Sequence, residues 1–167
     1  NSLAGVMLSA VVTDGTEKAD SYKFKVGSFD KLDLGELANK AVTSAKSKLG
    51  AEVAPTGAYP VVFSPDAMAD LLATYVSVFS SESAQKGLSR LGDKEGQVIA
   101  SPAVTLVDDP FHKDSPMPIA FDAEGSPTSR KNIIENGVLK TLLYNLKTAS
   151  VAGKETTGNA FKGSYAS

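Results

Sequence analysis

The chain has 167 residues, 42% of them hydrophobic and 22% charged, with a formal net charge of -2. That length holds one ordinary domain or two small subdomains around a real core, and the balance excludes disordered and fibrous classes. Acids and bases are interspersed, so no basic stripe offers a phosphate-backbone footprint; apolar runs such as Val61-Val62-Phe63 fall far short of the roughly 20 residues of a membrane-spanning helix; and with no cysteine there is neither a disulfide framework nor a thiolate nucleophile.

The lack of cysteine suits a reducing compartment, and the cytoplasm is expected. Asn1 rather than Met opens the chain, no signal peptide is visible, and Gly163-Ser164-Tyr165-Ala166-Ser167 closes it without a structural stop, so an excised fragment of a longer polypeptide is expected. The run Gly5 to Val12 is β-rich, Thr13-Asp14-Gly15-Thr16 carries turn chemistry, and Ser21 to Val26 alternates with period two, which predicts a hairpin. Leu34, Leu37, Ala38, Ala41, Val42, Ala45 and Leu49 then recur at helical spacing, with Asp33 as N-cap, Glu36 three residues on and Gly50 past the end.

After a loop through Pro55 and Gly57, Tyr59-Pro60-Val61-Val62-Phe63 reads as a short strand, and Ser64-Pro65 supplies a cap and a first-turn proline for a second helix. From Ala67 to Phe79 that helix is apolar on nearly every face, which predicts that it is mostly buried, and Ser80 to Ser83 ends or bends it. Gln97 to Ala100 and Val104 to Val107 are strand-like on either side of Ser101-Pro102. A polar, proline-bearing loop leads through Phe121 to Gly125, and Asn136-Gly137 between apolar runs predicts a hairpin with a type I′ turn. The strand from Val138 is expected to continue toward Tyr144, and the glycine-bearing tail from Thr148 reads as irregular. The sum is an α+β chain: β-hairpins packed with two main helices, near 35–49 and 65–79, and a joint near 52–58.

Chemistry is harder to find. A zinc protease of the usual kind needs two histidines one turn apart and a glutamate to activate water, and the sequence has one histidine. His112 sits among Asp108, Asp109 and Asp114, which offer it company on a metal in principle, but a lone histidine is a poor anchor and an acidic surface loop is the favoured reading. A serine nucleophile lacks both an elbow motif and a second imidazole. Ser-Lys chemistry stays open on sequence grounds, although Ser44-Ala45-Lys46 and Ser47-Lys48 are better explained as a solvated helix face. Gly158-Asn159 lacks the strand, lysine and helix of a phosphate loop. The pairs Asp108/Asp109 and Asp122/Glu124 sit where turn chemistry accounts for them, and Tyr75 and Phe79 read as core rather than a cofactor slot.

From Tyr59 to Gly158 the order of motifs resembles the PmbA/TldD family, long labelled proposed modulators of DNA gyrase and including the TldD and TldE subunits of a metalloprotease. The matching stretches are Val61-Val62-Phe63-Ser64-Pro65 leading to Leu71-Leu72, then Gly96 to Ser101, Val104 to Asp109, Phe121 to Thr128, Ile133 to Lys140 and Thr157-Gly158-Asn159-Ala160. The hairpin and helix before Tyr59 are similar to the end of the family's amino-terminal domain. The resemblance therefore implies that residues 1–54 end that domain and residues 55–167 begin the carboxyl-terminal one.

In TldD-type members a His-Glu-x-x-x-His motif follows the paired leucines and supplies metal ligands and the catalytic glutamate. Here those positions read Ala73-Thr74-Tyr75-Val76-Ser77-Val78, and none can take over these roles. The departure implies a PmbA/TldE-type chain with no catalytic, cofactor-binding or metal-ligating residue of its own. The expected function is that of a non-catalytic subunit paired with a TldD-type partner that carries zinc, in a complex that processes peptides or small unfolded proteins without direct nucleic-acid or membrane contact. Alternatives are a metallopeptidase in its own right and a protein-binding modulator of DNA gyrase.

Overall fold

The computed structural model describes residues 4–115 and 117–163, so Pro116 of the polar loop and the closing Ser164 to Ser167 lie outside the described residues. The chain divides into two compact units, Asn1–Pro60 and Val61–Ser167. Strands and helices both build the fold, and the α+β expectation holds.

In the first unit, β1 (Ala4–Asp14) and β2 (Glu17–Gly27) pair antiparallel in unbroken register from Ala4↔Gly27 to Asp14↔Glu17. Gly15, at φ 58, supplies the left-handed step of the turn at no steric cost. Alternate residues of β1 are half-buried beneath α1 (Leu34–Lys46), whose Leu37, Ala41 and Ala45 are buried at the i, i+4 and i+8 positions of one stripe. Asp33 caps the helix as expected, its Oδ1 accepting from the Glu36 amide at 2.8 Å. The helix stops at Lys46, and Gly50 beyond it donates its N–H to Glu17 Oε1 at 2.9 Å, tying helix end to hairpin end.

Tyr59 to Phe63, which end the first unit and begin the second, form no strand among the described residues, and their side chains are exposed. β-propensity alone does not make a strand without a partner, and Pro60 has no N–H to donate. α2 (Pro65–Tyr75) begins at the Ser64-Pro65 signal, with Ser64 Oγ accepting from the Ala67 amide at 3.2 Å. The expectation that this helix is buried fails. None of its residues is buried, and Leu71, Leu72 and Tyr75 are 40%, 42% and 59% exposed. Apolar composition says which face seeks cover, whereas burial needs a neighbour, and the described residues do not supply one over this stripe.

A 3-10 turn over Val76–Phe79 carries the chain into the core, and a short α3 (Ser81–Gln85) follows. The core gathers Phe79, Ile133, Ile134, Leu139, Leu142, Tyr144 and Ala149. A three-stranded antiparallel sheet in the order β3-β4-β5 lies within it: β3 (Leu106–Asp108), β4 (Lys131–Glu135) and β5 (Val138–Leu139). The β4–β5 turn has φ 48 at Asn136 and 82 at Gly137, the two positive values a type I′ turn requires.

Three strand expectations shorten. Gln97 to Ala100 keeps one bridge, Val98↔Val138, because Ile99 and Ala100 both donate to the Gly137 carbonyl rather than running on along a ladder. The Val104 run becomes β3 only from Leu106, since the Val104 carbonyl and the Thr105 hydroxyl serve the Asn136-Gly137 turn. The strand from Val138 ends at Leu139, and the chain later bridges Ser80↔Leu143 in parallel.

The tail is also less irregular than expected. α4 (Leu146–Ala152) spans part of it, started by a reciprocal capping box between Asn145 and Thr148 and stopped by Gly153 in the left-handed region. The buried hydroxyls of Ser81 and Thr148, 2.7 Å apart, join α3 to α4. No helix among the described residues is long and apolar enough to cross a membrane.

Candidate functional site

The run Ala73 to Val78, which the resemblance sets against the metal motif, lies at the end of α2 and in the 3-10 turn. Ala73 offers a methyl group, Val76 and Val78 offer hydrocarbon, and the Thr74 hydroxyl donates to the Asp70 carbonyl at 2.9 Å. This is a helix-internal back-bond of the kind threonine commonly makes. The change from α-helix to 3-10 geometry at Val76 also breaks the regular turn on which paired ligands would be spaced. Zinc does not fit these side chains: they contain no imidazole, thiolate or carboxylate.

The other acidic and basic candidates are held by structural bonds. His112 is 55% exposed, its Nδ1 accepting from the Asp114 amide at 3.3 Å and lying 3.8 Å from Asp114 Oδ2. Its other acidic neighbours in sequence face elsewhere: Asp108 Oδ2 accepts from Lys131 Nζ at 3.0 Å and Asn159 Nδ2 at 2.8 Å, while Asp109 takes the Phe111 amide and lies 3.5 Å from Arg130 Nε. Among the described residues no group of three or more His, Cys, Asp or Glu could hold a metal ion.

Asp122 and Glu124 act as clamps rather than as an acid–base pair. Asp122 Oδ1 accepts from the amides of Glu124 and Ser126, each at 2.9 Å, and its Oδ2 accepts from Ala160 at 2.9 Å. Glu124 Oε2 accepts from the Leu146 amide at 2.8 Å, where a carboxylate also faces the positive end of α4. Gly158 explains why a glycine lies beside Asn159: a Cβ there would stand 2.4 Å from the Pro127 carbonyl oxygen. Just past α1 the Ser47 hydroxyl donates to the Ser44 carbonyl and the Lys48 ammonium to the Asp20 carbonyl, so both polar ends are committed to backbone.

Sequence reasoning missed Glu95, which does more than any of these. Its side chain is 18% exposed; Oε1 accepts from the Leu142 amide at 2.7 Å and the Tyr144 hydroxyl at 3.2 Å, and Oε2 pairs with Lys154. The Lys154 ammonium lies 5.2 Å from the Tyr144 ring centroid, a cation–π contact, and burial holds the Tyr144 phenol above its ordinary pKa. In sequence Glu95 stands in a polar turn-like run, Gly92-Asp93-Lys94-Glu95-Gly96, with no periodicity to single it out.

The second unit thus presents an α+β module whose polar side chains brace loops and whose run Ala73 to Val78 carries no imidazole, thiolate or carboxylate. Residues 56–167 match the family model described as the PmbA/TldA metallopeptidase C-terminal domain, and the chain belongs to the PmbA/TldD family. It is 32% identical to a metalloprotease of Methanothermobacter thermautotrophicus over 93% of this chain and 35% of that protein. Among solved structures it is similar to a proposed modulator of a DNA gyrase from Thermotoga maritima, with a TM-score of 0.90, 36% identity, and 95% of this chain and 37% of that one covered. It is also similar to TldE from Thermococcus kodakarensis, with a TM-score of 0.78, 32% identity, and 94% and 36% covered. The chain spans about a third of the length of the curated relatives it matches.

Proposed function

We propose that this chain is part of a cytoplasmic PmbA/TldE-type subunit that does no hydrolysis itself and works beside a TldD-type subunit holding zinc, in a complex that processes peptides or small unfolded proteins. In this reading residues 1–54 end the amino-terminal domain and residues 55–167 begin the carboxyl-terminal one. The observation that carries it is the run Ala73 to Val78, which has no imidazole, thiolate or carboxylate to hold zinc and no base for a bound water. Similarity to TldE supports the same assignment. The exposed apolar stripe of Met68, Leu71, Leu72 and Tyr75 fits a helix that meets further protein in the assembled complex.

The test is cleavage of an unstructured peptide by the zinc-supplemented, highly purified full-length protein, alone and mixed with a TldD-type partner. Cleavage only in the mixture, lost when the partner's metal motif is altered, is the expected result. Chelator-sensitive cleavage by the full-length protein alone overturns the reading in favour of a metallopeptidase with ligands of its own.

A further inference from the structure

We propose that Asn136-Gly137 is a latent deamidation site that the fold holds shut, so that covalent change there records unfolding of the second unit. Of the asparagines in the sequence, Asn136 alone is followed by glycine. Glycine leaves the next backbone nitrogen unobstructed, which makes such a pair chemically labile in a free chain. In the reaction the Gly137 nitrogen, losing its proton to water, attacks the Asn136 side-chain carbonyl carbon. The C–N bond to the side-chain amide breaks, ammonia leaves, and a succinimide closes. Water then opens the ring to aspartate or isoaspartate. The net exchange is one water in and one ammonia out, with no oxidant, reductant or cofactor.

The folded turn opposes each requirement of this attack. The Gly137 N–H is committed to the Val104 carbonyl at 2.9 Å, and the Gly137 carbonyl accepts from Ile99 at 2.9 Å and Ala100 at 3.1 Å. The Asn136 amide donates to Thr105 Oγ1 at 3.2 Å. Gly137 is buried while Asn136 is exposed, so the turn is clamped on its inner side while the reactive side chain meets water. Backbone also packs tightly against the Gly137 Cα, since a Cβ there would lie 2.4 Å from the Ala100 carbonyl oxygen and 2.9 Å from that of Ser101. With φ at 48 and 82, the turn depends on these partners, and the peptide cannot swing toward the side chain without giving them up.

The consequence would be lasting. An isoaspartate adds a methylene to the backbone beside β5, whose Leu139 is fully buried, so a modified turn cannot return to the Ala100 and Val104 contacts.

The experiment incubates the full-length protein at neutral pH, native and in a chaotrope. Peptide mapping follows isoaspartate and the mass change at residue 136, and hydrogen exchange measures opening of the Gly137 amide in parallel. The expected result is conversion in the unfolded sample and suppression in the native one by the same factor as the exchange protection, on the order of 100-fold or more for a turn seated on core strands. Equal rates in the two samples, native conversion faster than amide opening permits, or an unfolded chain that keeps its amide would each overturn the proposal.

Discussion

Replacing Glu95 with alanine removes one carboxylate from three partners, and their burial sets the magnitude. The Leu142 amide, on a residue 2% exposed, loses an acceptor 2.7 Å away. A hydrogen bond to a charged group contributes about 1.5–3 kcal/mol, and leaving a buried donor unpaired keeps the loss near the upper end. The Tyr144 hydroxyl adds about 0.5 kcal/mol as a second lost bond. The ion pair to Lys154 adds little, because the lysine is 45% exposed and screened by water. The sum is about 3 kcal/mol, which converts to roughly 100-fold faster exchange of the Leu142 amide. Glu95→Gln keeps an oxygen for Leu142 and Tyr144 and loses charge, so about 1 kcal/mol and roughly 5-fold are expected. Amide exchange followed by NMR reads both variants at the affected bond. An unchanged Leu142 rate in Glu95→Ala, or equal damage from both variants, refutes the reasoning, the second outcome by making the lysine pair dominant.

Gly158→Ala forces a Cβ to within 2.4 Å of the Pro127 carbonyl at a φ of 67, and a loss of about 2–4 kcal/mol, read as a lower thermal midpoint of the second unit, is expected. Asp33→Ala removes the cap of α1 and should cost the first unit about 1 kcal/mol, seen as faster exchange of α1 amides with no change at Leu139. Alkaline pH acts through Tyr144. Burial raises its folded pKa above the ordinary 10.0, so the neutral phenol stabilises the fold fully below that pH, and the contribution is lost as pH rises through the folded value. Denaturation midpoints followed from neutral to strongly alkaline pH should decline in that window, and Tyr144→Phe should flatten the decline.

Local chemistry was legible where a residue acts on its own neighbours. Asp33, Ser64-Pro65, Gly15 and Asn136-Gly137 each sit where their side chain or φ is needed. What depends on distant neighbours was not legible. The stripe on α2 declares itself apolar without saying what covers it, Tyr59 to Phe63 has strand propensity without an edge to join, and Glu95 matters only because Leu142 and Tyr144 come to it from 47 and 49 residues away. α4 was hidden by its glycine-rich surroundings, although its capping pair, Asn145 and Thr148, stands at the spacing such a start requires.

The way the two units close their contacts separates them in time. The first closes within its own hairpin and the helix that follows, where the bond from Gly50 to Glu17 spans 33 residues, so it can form as soon as that stretch is free to move. The second brings Ser80 beside Leu143 and pairs Leu106 with Ile134. Its core must wait until residues beyond 140 exist and must meet the entropy of closing those long loops before any gain arrives. On a ribosome Phe79 would therefore emerge well before Leu139, Leu142 and Tyr144, its companions in the core, and spend that interval bare, a natural target for a chaperone.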